Sequence, residues 1–220
     1  MNKKISLIAT VVLIAASFSA AAGQERFVRP VDEAAKDKSF LAFRNKLIAA
    51  AERKDLDYVV SIMDKDIKFS FGDTEGVEDF REFWKDADAF WAEFIPVIKN
   101  GGSFSPPAGV TGRMFMAPYT FSKWPDQIDA FEHAAIIGSN VNLRDKASTD
   151  GKVLGRLSYN VVKVTESVLK GEKAEWHKVR TLGGKTGWVK AEYVRSSIDY
   201  RAGFEKKGGV WKMVFFVAGD

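Results

Sequence analysis

Between residues 134 and 197 the apolar residues never recur at helical spacing. Short apolar runs such as "AAII", "VNL", "VLGRL", "VVKV" and "GWV" alternate with turn-prone stretches, "GSN", "RDKASTDGK", "LSYN" and "TLGGKT". Brief runs bounded by Gly, Asn, Asp and Ser are the pattern of short strands joined by tight turns. This stretch is therefore held to a small all-β unit. It divides the rest of the 220-residue chain into a long part before it and a tail, residues 198–220, after it.

The two parts differ in charge. Residues 23–134 carry 15 Lys/Arg against 20 Asp/Glu, while residues 135–197 carry 12 against 6. An acidic part followed by a basic one fits two units, which could attract each other or draw the basic unit to an anionic polymer; a solvated surface without a partner is the plainer alternative. At the start, "MNKK" precedes the apolar run "ISLIATVVLIAASFSA" and the small residues "AAAG". That three-part pattern predicts a secretory signal over residues 1–22, cut near Ala22 and of the general export type, with a retained membrane anchor as the alternative. A periplasmic or secreted location follows, with no stable membrane span after cleavage. The chain has no Cys, so its cores alone must hold it, and thiol chemistry is excluded.

Residues 23–38 read as a polar, mobile leader. From a cap at Ser39, Phe40, Phe43, Leu47 and Ala51 follow helical spacing, and Asp55 opens a second short helix. In "KDIKFSFG" Ile67, Phe69 and Phe71 alternate with polar residues, as in a strand with one buried face. The stripe Phe80, Phe83, Trp84, Ala87, Trp91 and Phe94 predicts one long helix that Pro96 ends. Such a stripe is either core or the lining of a ligand cavity. "RMFMAPYTF" reads as a strand, and "YRAGFE" with "VWKMVFFVA" as a hairpin joined by "KKGG". The expected class is α+β: N-terminal helices on a curved antiparallel sheet over residues 39–133, with the hairpin 198–220 completing that unit, and a small five-stranded β-barrel over residues 134–197.

The order of pieces "IIGSNVNLRDKAST", "GKVLGRLSYNVVKV", "EWHKVRT" and "GKTGWVKAEYV" resembles the bacterial Src-homology-3-like domain. Val141, Leu143, Val153, Leu157, Val161, Val164, Val179 and Val189 are spaced to point into such a barrel, Gly187 falls at a turn that calls for positive φ, and Asn160 stands where that family often has Gly. The resemblance implies an aromatic groove at Trp176, His177, Trp188 and Tyr193. The acidic first loop of proline-reading relatives is replaced by "RDKAST". Exported members of this family imply binding to a cell-wall polymer or an envelope protein or peptide. The helices, the strand "IKFSFG" and the last hairpin more faintly resemble the cone-shaped nuclear-transport-factor-like fold, in which a cavity can bind or catalyse.

Catalytic constellations are wanting. The chain has two His, His133 and His177, no Gly-x-Ser-x-Gly elbow and no phosphate-cradling loop. Asp64/Asp66, Asp73/Glu75 and Asp86/Asp88 sit where caps and turns explain them. The expectation is a non-enzymatic protein with no cofactor, no metal and no nucleic-acid partner; the sequence leaves its oligomeric state open. The alternative is an N-terminal cone that binds a small ligand or acts as an enzyme, tethered by the β unit. Phe80, Trp84 and Trp91 packed into that cone would count against it.

Overall fold

The computed structural model describes residues 23–72, 74–104 and 113–219. The signal read over residues 1–22 and the carboxylate of Asp73 lie outside the described residues. Helices α1 (Lys38–Glu52) and α2 (Leu56–Ser61) lead into strand β1 (Met63–Lys68), followed by α3 (Val77–Phe83) and α4 (Ala87–Lys99). Strands β2 (Ser103–Phe104) and β3 (Met114–Ala117) and the short helix α5 (Tyr119–Ser122) complete the N-terminal part. The β unit supplies β4 (Ala134–Ile136), β5 (Val141–Arg144), β6 (Val153–Leu157), β7 (Val161–Lys170), β8 (Lys173–Thr181), β9 (Thr186–Lys190) and β10 (Val194–Ser196). The tail forms β11 (Arg201–Lys207) and β12 (Val210–Val217).

Two sheets result. The first runs β1-β12-β11-β3-β2 and is antiparallel except where its edge strand β1 lies parallel to β12. The tail hairpin therefore occupies the middle of the N-terminal sheet, with the whole β unit between it and β3 in the chain. Phe115, Ala117, Ala202, Phe204, Trp211, Met213 and Phe216 join one buried core with Phe40, Leu47, Phe80, Phe90 and Phe94 from the helices. The second sheet runs β10-β4-β7-β8-β9-β5-β6, which adds two short strands, β4 and β10, to the five expected. Its core is Ile136, Val141, Leu143, Leu157, Val162, Val179 and Val189.

Local chemistry explains where the elements depart from expectation. The cap of α1 is Asp37, not Ser39: the Asp37 carboxylate accepts from the Ser39 and Phe40 amides at 2.9 and 3.1 Å. The Ser39 hydroxyl instead accepts from Trp211 Nε1 at 3.0 Å. The single long helix is two, because Asp86 caps α4 by accepting from the Asp88 and Ala89 amides. Phe83, at the end of α3, is left exposed. Pro96 does not end α4; burial of Val97 and Ile98 carries the helix on to Lys99. Phe71 lies beyond β1 and is exposed rather than facing the core.

Residues 23–38 are the largest departure, for they are built into the fold. The Val28 amide donates to the Tyr159 carbonyl and the Val161 amide to the Arg26 carbonyl, both at 2.8 Å, which lays the leader antiparallel to the start of β7. The Glu25 carboxylate accepts from Thr181 Oγ1 at 2.7 Å and from Asn160 Nδ2 at 3.2 Å. Further along, Gly102 donates to Val31, Glu33 donates to Gly102, and Arg44 grips Asp32 through two bonds of 2.6 Å. Val28 then packs with Tyr119, Ala135 and Val161 in a small core where the two units meet. A polar segment shows no apolar period, yet backbone bonds and carboxylates with distant partners hold it just as well.

Candidate functional site

Residues on β5 alternate between the two faces of the sheet. Val141 and Leu143 enter the barrel core, so Asn142 and Arg144 face outward. Ladder pairing then assembles the outer face: Arg144 lies opposite Trp188, Trp188 opposite Lys178, and Lys190 opposite Trp176. At one end of this face, beside the 3-10 turn Ala191–Tyr193, a hollow of about 270 Å³ opens. Strands β5, β8 and β9 contribute Asn142, Arg144, Trp176 and Lys190; the turn contributes Glu192 and Tyr193, and the loops contribute Ser139, Asn140 and Thr149.

Each wall is fixed by its own contacts. Trp176, only 5 % exposed, forms the floor, while Tyr193 is 40 % exposed at the rim. The Tyr193 carbonyl accepts from the Ile137 amide at 2.9 Å, and its ring lies over Gly138, where a Cβ would come within 3.4 Å of Cδ1. Asn140 adopts φ 56°, a conformation Asn tolerates, and its amide donates to Ser158 Oγ at 2.8 Å. Arg144 donates from a terminal nitrogen to the Gly151 carbonyl at 2.7 Å, which ties it to the loop between β5 and β6. Lys190 and Glu192 form an exposed ion pair at 3.7 Å.

Of the four residues proposed for a groove, the structure brings Trp176 and Tyr193 together at this hollow. Trp188 shares the outer face but stands beside Lys178, whose ammonium lies 5.9 Å from its ring, and does not line the hollow. His177 lies on the opposite face of β8, next to Trp176 in sequence and therefore turned away from it. Its Nδ1 is 2.8 Å from Ser167 Oγ. The sequence reading missed Arg144, Lys190 and the two Asn. Alternation around Val141 and Leu143 could have placed Asn142 and Arg144 outside; Lys190 is legible only once β8 and β9 are paired.

Burial holds the His177 imidazole below its ordinary value of 6.5. The unfolded chain thus binds a proton at this position before the folded one does. The stabilising contribution is complete above the unfolded value and is lost as pH falls below it. We expect the thermal midpoint to fall between about pH 7.5 and 5.5, and His177→Gln to flatten that part of the slope. Equal slopes for both proteins would refute the assignment.

Other candidate chemistry is accounted for by structural partners. Asp64 pairs with Lys207 at 2.8 Å, Asp66 with Lys65 at 2.7 Å and Asp88 with Lys54 at 2.6 Å. His133 Nδ1 is 3.0 Å from the Asp129 carbonyl oxygen. Among the described residues no group of three or more His, Asp or Glu could hold a metal, and no helix is long and apolar enough to cross a membrane. Between the helices and the first sheet, Phe80, Trp84 and Trp91 are buried in the aromatic core. A second hollow, of about 490 Å³, lies on the other face of that sheet, against Phe215 and Val217.

Residues 139–195 match the family model of the bacterial SH3 domain. The match falls within the stretch whose motifs resemble that family and contains every residue lining the hollow beside Trp176. No curated protein and no solved structure matches the chain.

Proposed function

We propose that this chain is an exported, non-catalytic envelope protein whose SH3 domain binds a cell-wall component or an envelope peptide in the groove over Trp176. The observation that carries the reading is the hollow itself. It is open to solvent, lined by polar side chains around a buried Trp, and lies wholly within the segment that matches the bacterial SH3 domain. The signal pattern over residues 1–22 supports export to the periplasm or beyond. The alternative, a cone that carries a small ligand or catalyses a reaction, is disfavoured by Phe80, Trp84 and Trp91 filling the space such a cone would need.

The test is co-sedimentation of the protein, without its signal, with purified cell-wall sacculi and with envelope extract at two salt concentrations. Tyr193→Ala is the more telling variant, because Tyr193 stands 40 % exposed at the rim whereas Trp176 is buried. Trp176→Ala is run beside it with a check of folding. Retention that falls with Tyr193→Ala supports the groove. Retention insensitive to both variants but lost in salt assigns binding to the basic surface alone. No retention on either material ends the proposal.

A further inference from the structure

We infer that the ligand of this groove is a short acidic peptide whose carboxylate is met by Arg144 and Lys190. The inference rests on the reading of the groove as the binding site and specifies what it selects. Trp176 is too buried to offer a ring face, and Tyr193 offers one ring at the rim alone, so the charges of the hollow and not its rings set what it selects. Beside the apolar surfaces of Val141, Trp176 and Tyr193, the hollow presents the amides of Asn140 and Asn142, suited to peptide N–H and C=O groups, and three charges. Two of those charges are cations on the same face of neighbouring strands, fixed there by the ladder of β5, β9 and β8.

Arg144 is the anchor. The one hydrogen bond of its side chain among the described residues goes to the Gly151 carbonyl. A guanidinium carries five donors in a rigid fork, so most of the fork remains for a carboxylate, already held in position by the loop. That loop is itself closed by Asp145 donating to the Lys152 carbonyl at 3.1 Å and Gly151 to the Ser148 carbonyl at 3.0 Å. Among the residues that line the hollow the opposing charge is Glu192, and its pair with Lys190 is exposed and screened by water. Around the hollow, residues 135–197 hold twice as many Lys/Arg as Asp/Glu, 12 against 6, so the wider field also favours an approaching anion.

The probes are acetyl-Ala-Glu-Ala-Glu-Ala-amide, its Gln and Lys counterparts, a free-acid form of the Gln peptide, and inorganic polyphosphate. Binding to the full chain without its signal is followed by calorimetry and by tryptophan fluorescence. The acidic peptide should bind about tenfold more tightly than the Gln peptide at low salt, with the Lys peptide weakest. Arg144→Gln with Lys190→Gln should abolish that preference while Lys170→Gln, exposed at the far end of β7 and off the hollow, leaves it intact. A free-acid Gln peptide that matches the Glu peptide means that a terminal carboxylate is what the site selects, which still supports the inference. Equal binding of the Glu and Gln peptides overturns it, as does polyphosphate bound through Arg144 and Lys190 with the acidic peptide unbound. Sacculus retention that depends on Tyr193 but ignores both cations would also overturn it, yet leave the groove reading standing. Loss of the Tyr193 dependence would instead remove the groove reading itself.

Discussion

Phe216→Ala is expected to lower the stability of the N-terminal unit by about 3–5 kcal/mol, enough to unfold a marginal domain. Phe216 is fully buried, and its ring centroid lies 4.9 Å from Tyr200, 5.3 Å from Phe94, 5.7 Å from Phe90 and 5.8 Å from Trp84. Truncation empties the centre of this aromatic cluster, and the surrounding rings are too constrained by one another to collapse into the space. The residue is also on β12, at the end of the chain, so the loss would be felt in helices some 120 residues earlier. Urea unfolding followed by tryptophan fluorescence is the measurement, with Val210→Ala as control. Val210 is 59 % exposed at the hairpin turn, and its truncation should shift stability by less than about 0.5 kcal/mol. Similar midpoints for the two variants would mean that the tail hairpin is not integral to the first core.

Such long-range dependence is the part of the fold that sequence patterns carry least. The hairpin was legible from "KKGG" between apolar runs, because turn chemistry and alternation are local. Its place between β1 and β3 depends on pairing across the whole β unit. The same division holds within the barrel. Val141, Leu143, Leu157, Val179 and Val189 alternate into its core as spacing predicts. Val153 does not: β6 is the edge of its sheet, with β5 its sole neighbour among the described residues, and Val153 and Leu154 are both exposed there. Val161 is buried, but against the leader and Tyr119 rather than in the barrel, and Val162 takes the inward position.

Two turn positions show how a residue can be noticed for the wrong physical reason. Gly187 adopts no positive φ; it lies in β9, where a Cβ would stand 2.7 Å from the Arg144 carbonyl oxygen and 2.8 Å from Leu143 Cγ. Its role is close approach of β9 to β5, the contact that sets Arg144 opposite Trp188, on the face that Lys190 shares. In the turn before β7, Tyr159 takes the left-handed conformation, at φ 61°, and Asn160 does not. Asn160 is buried and uses its side chain instead, accepting from the Ser158 amide at 2.8 Å and donating to Glu25. Asparagine there is tied to the leader, a partner that no reading of the barrel alone would include. The groove follows the same logic: Trp176 and Tyr193 stood out as aromatics at family positions, whereas Arg144 and Lys190 looked like ordinary strand charges until the ladder put them on one face.

The leader gives the second large effect. Val28→Asp should detach residues 23–33 from the rest of the protein. Val28 is 1 % exposed within the small core that also holds Tyr119, Ala135 and Val161. Losing a buried Val forfeits about 1.5–3 kcal/mol, and an unpaired carboxylate cannot remain in that apolar site. The segment has an easier course than burying the charge. It is attached by a few backbone bonds, by Glu25 and by the Asp32–Arg44 pair, so release exposes the carboxylate to water and leaves both sheets intact. Trypsin distinguishes the outcomes: the Arg26 carbonyl is hydrogen-bonded to the Val161 amide, and the peptide bond after Arg26 should become cleavable only when that ladder opens. Phe27→Ser is the matched control, one residue away and 43 % exposed, and should leave the bond protected. Rapid cleavage in both proteins would mean that the leader is not held by the buried face of Val28. Cleavage in neither would mean that Glu25 and the Asp32–Arg44 pair suffice to hold it without that core.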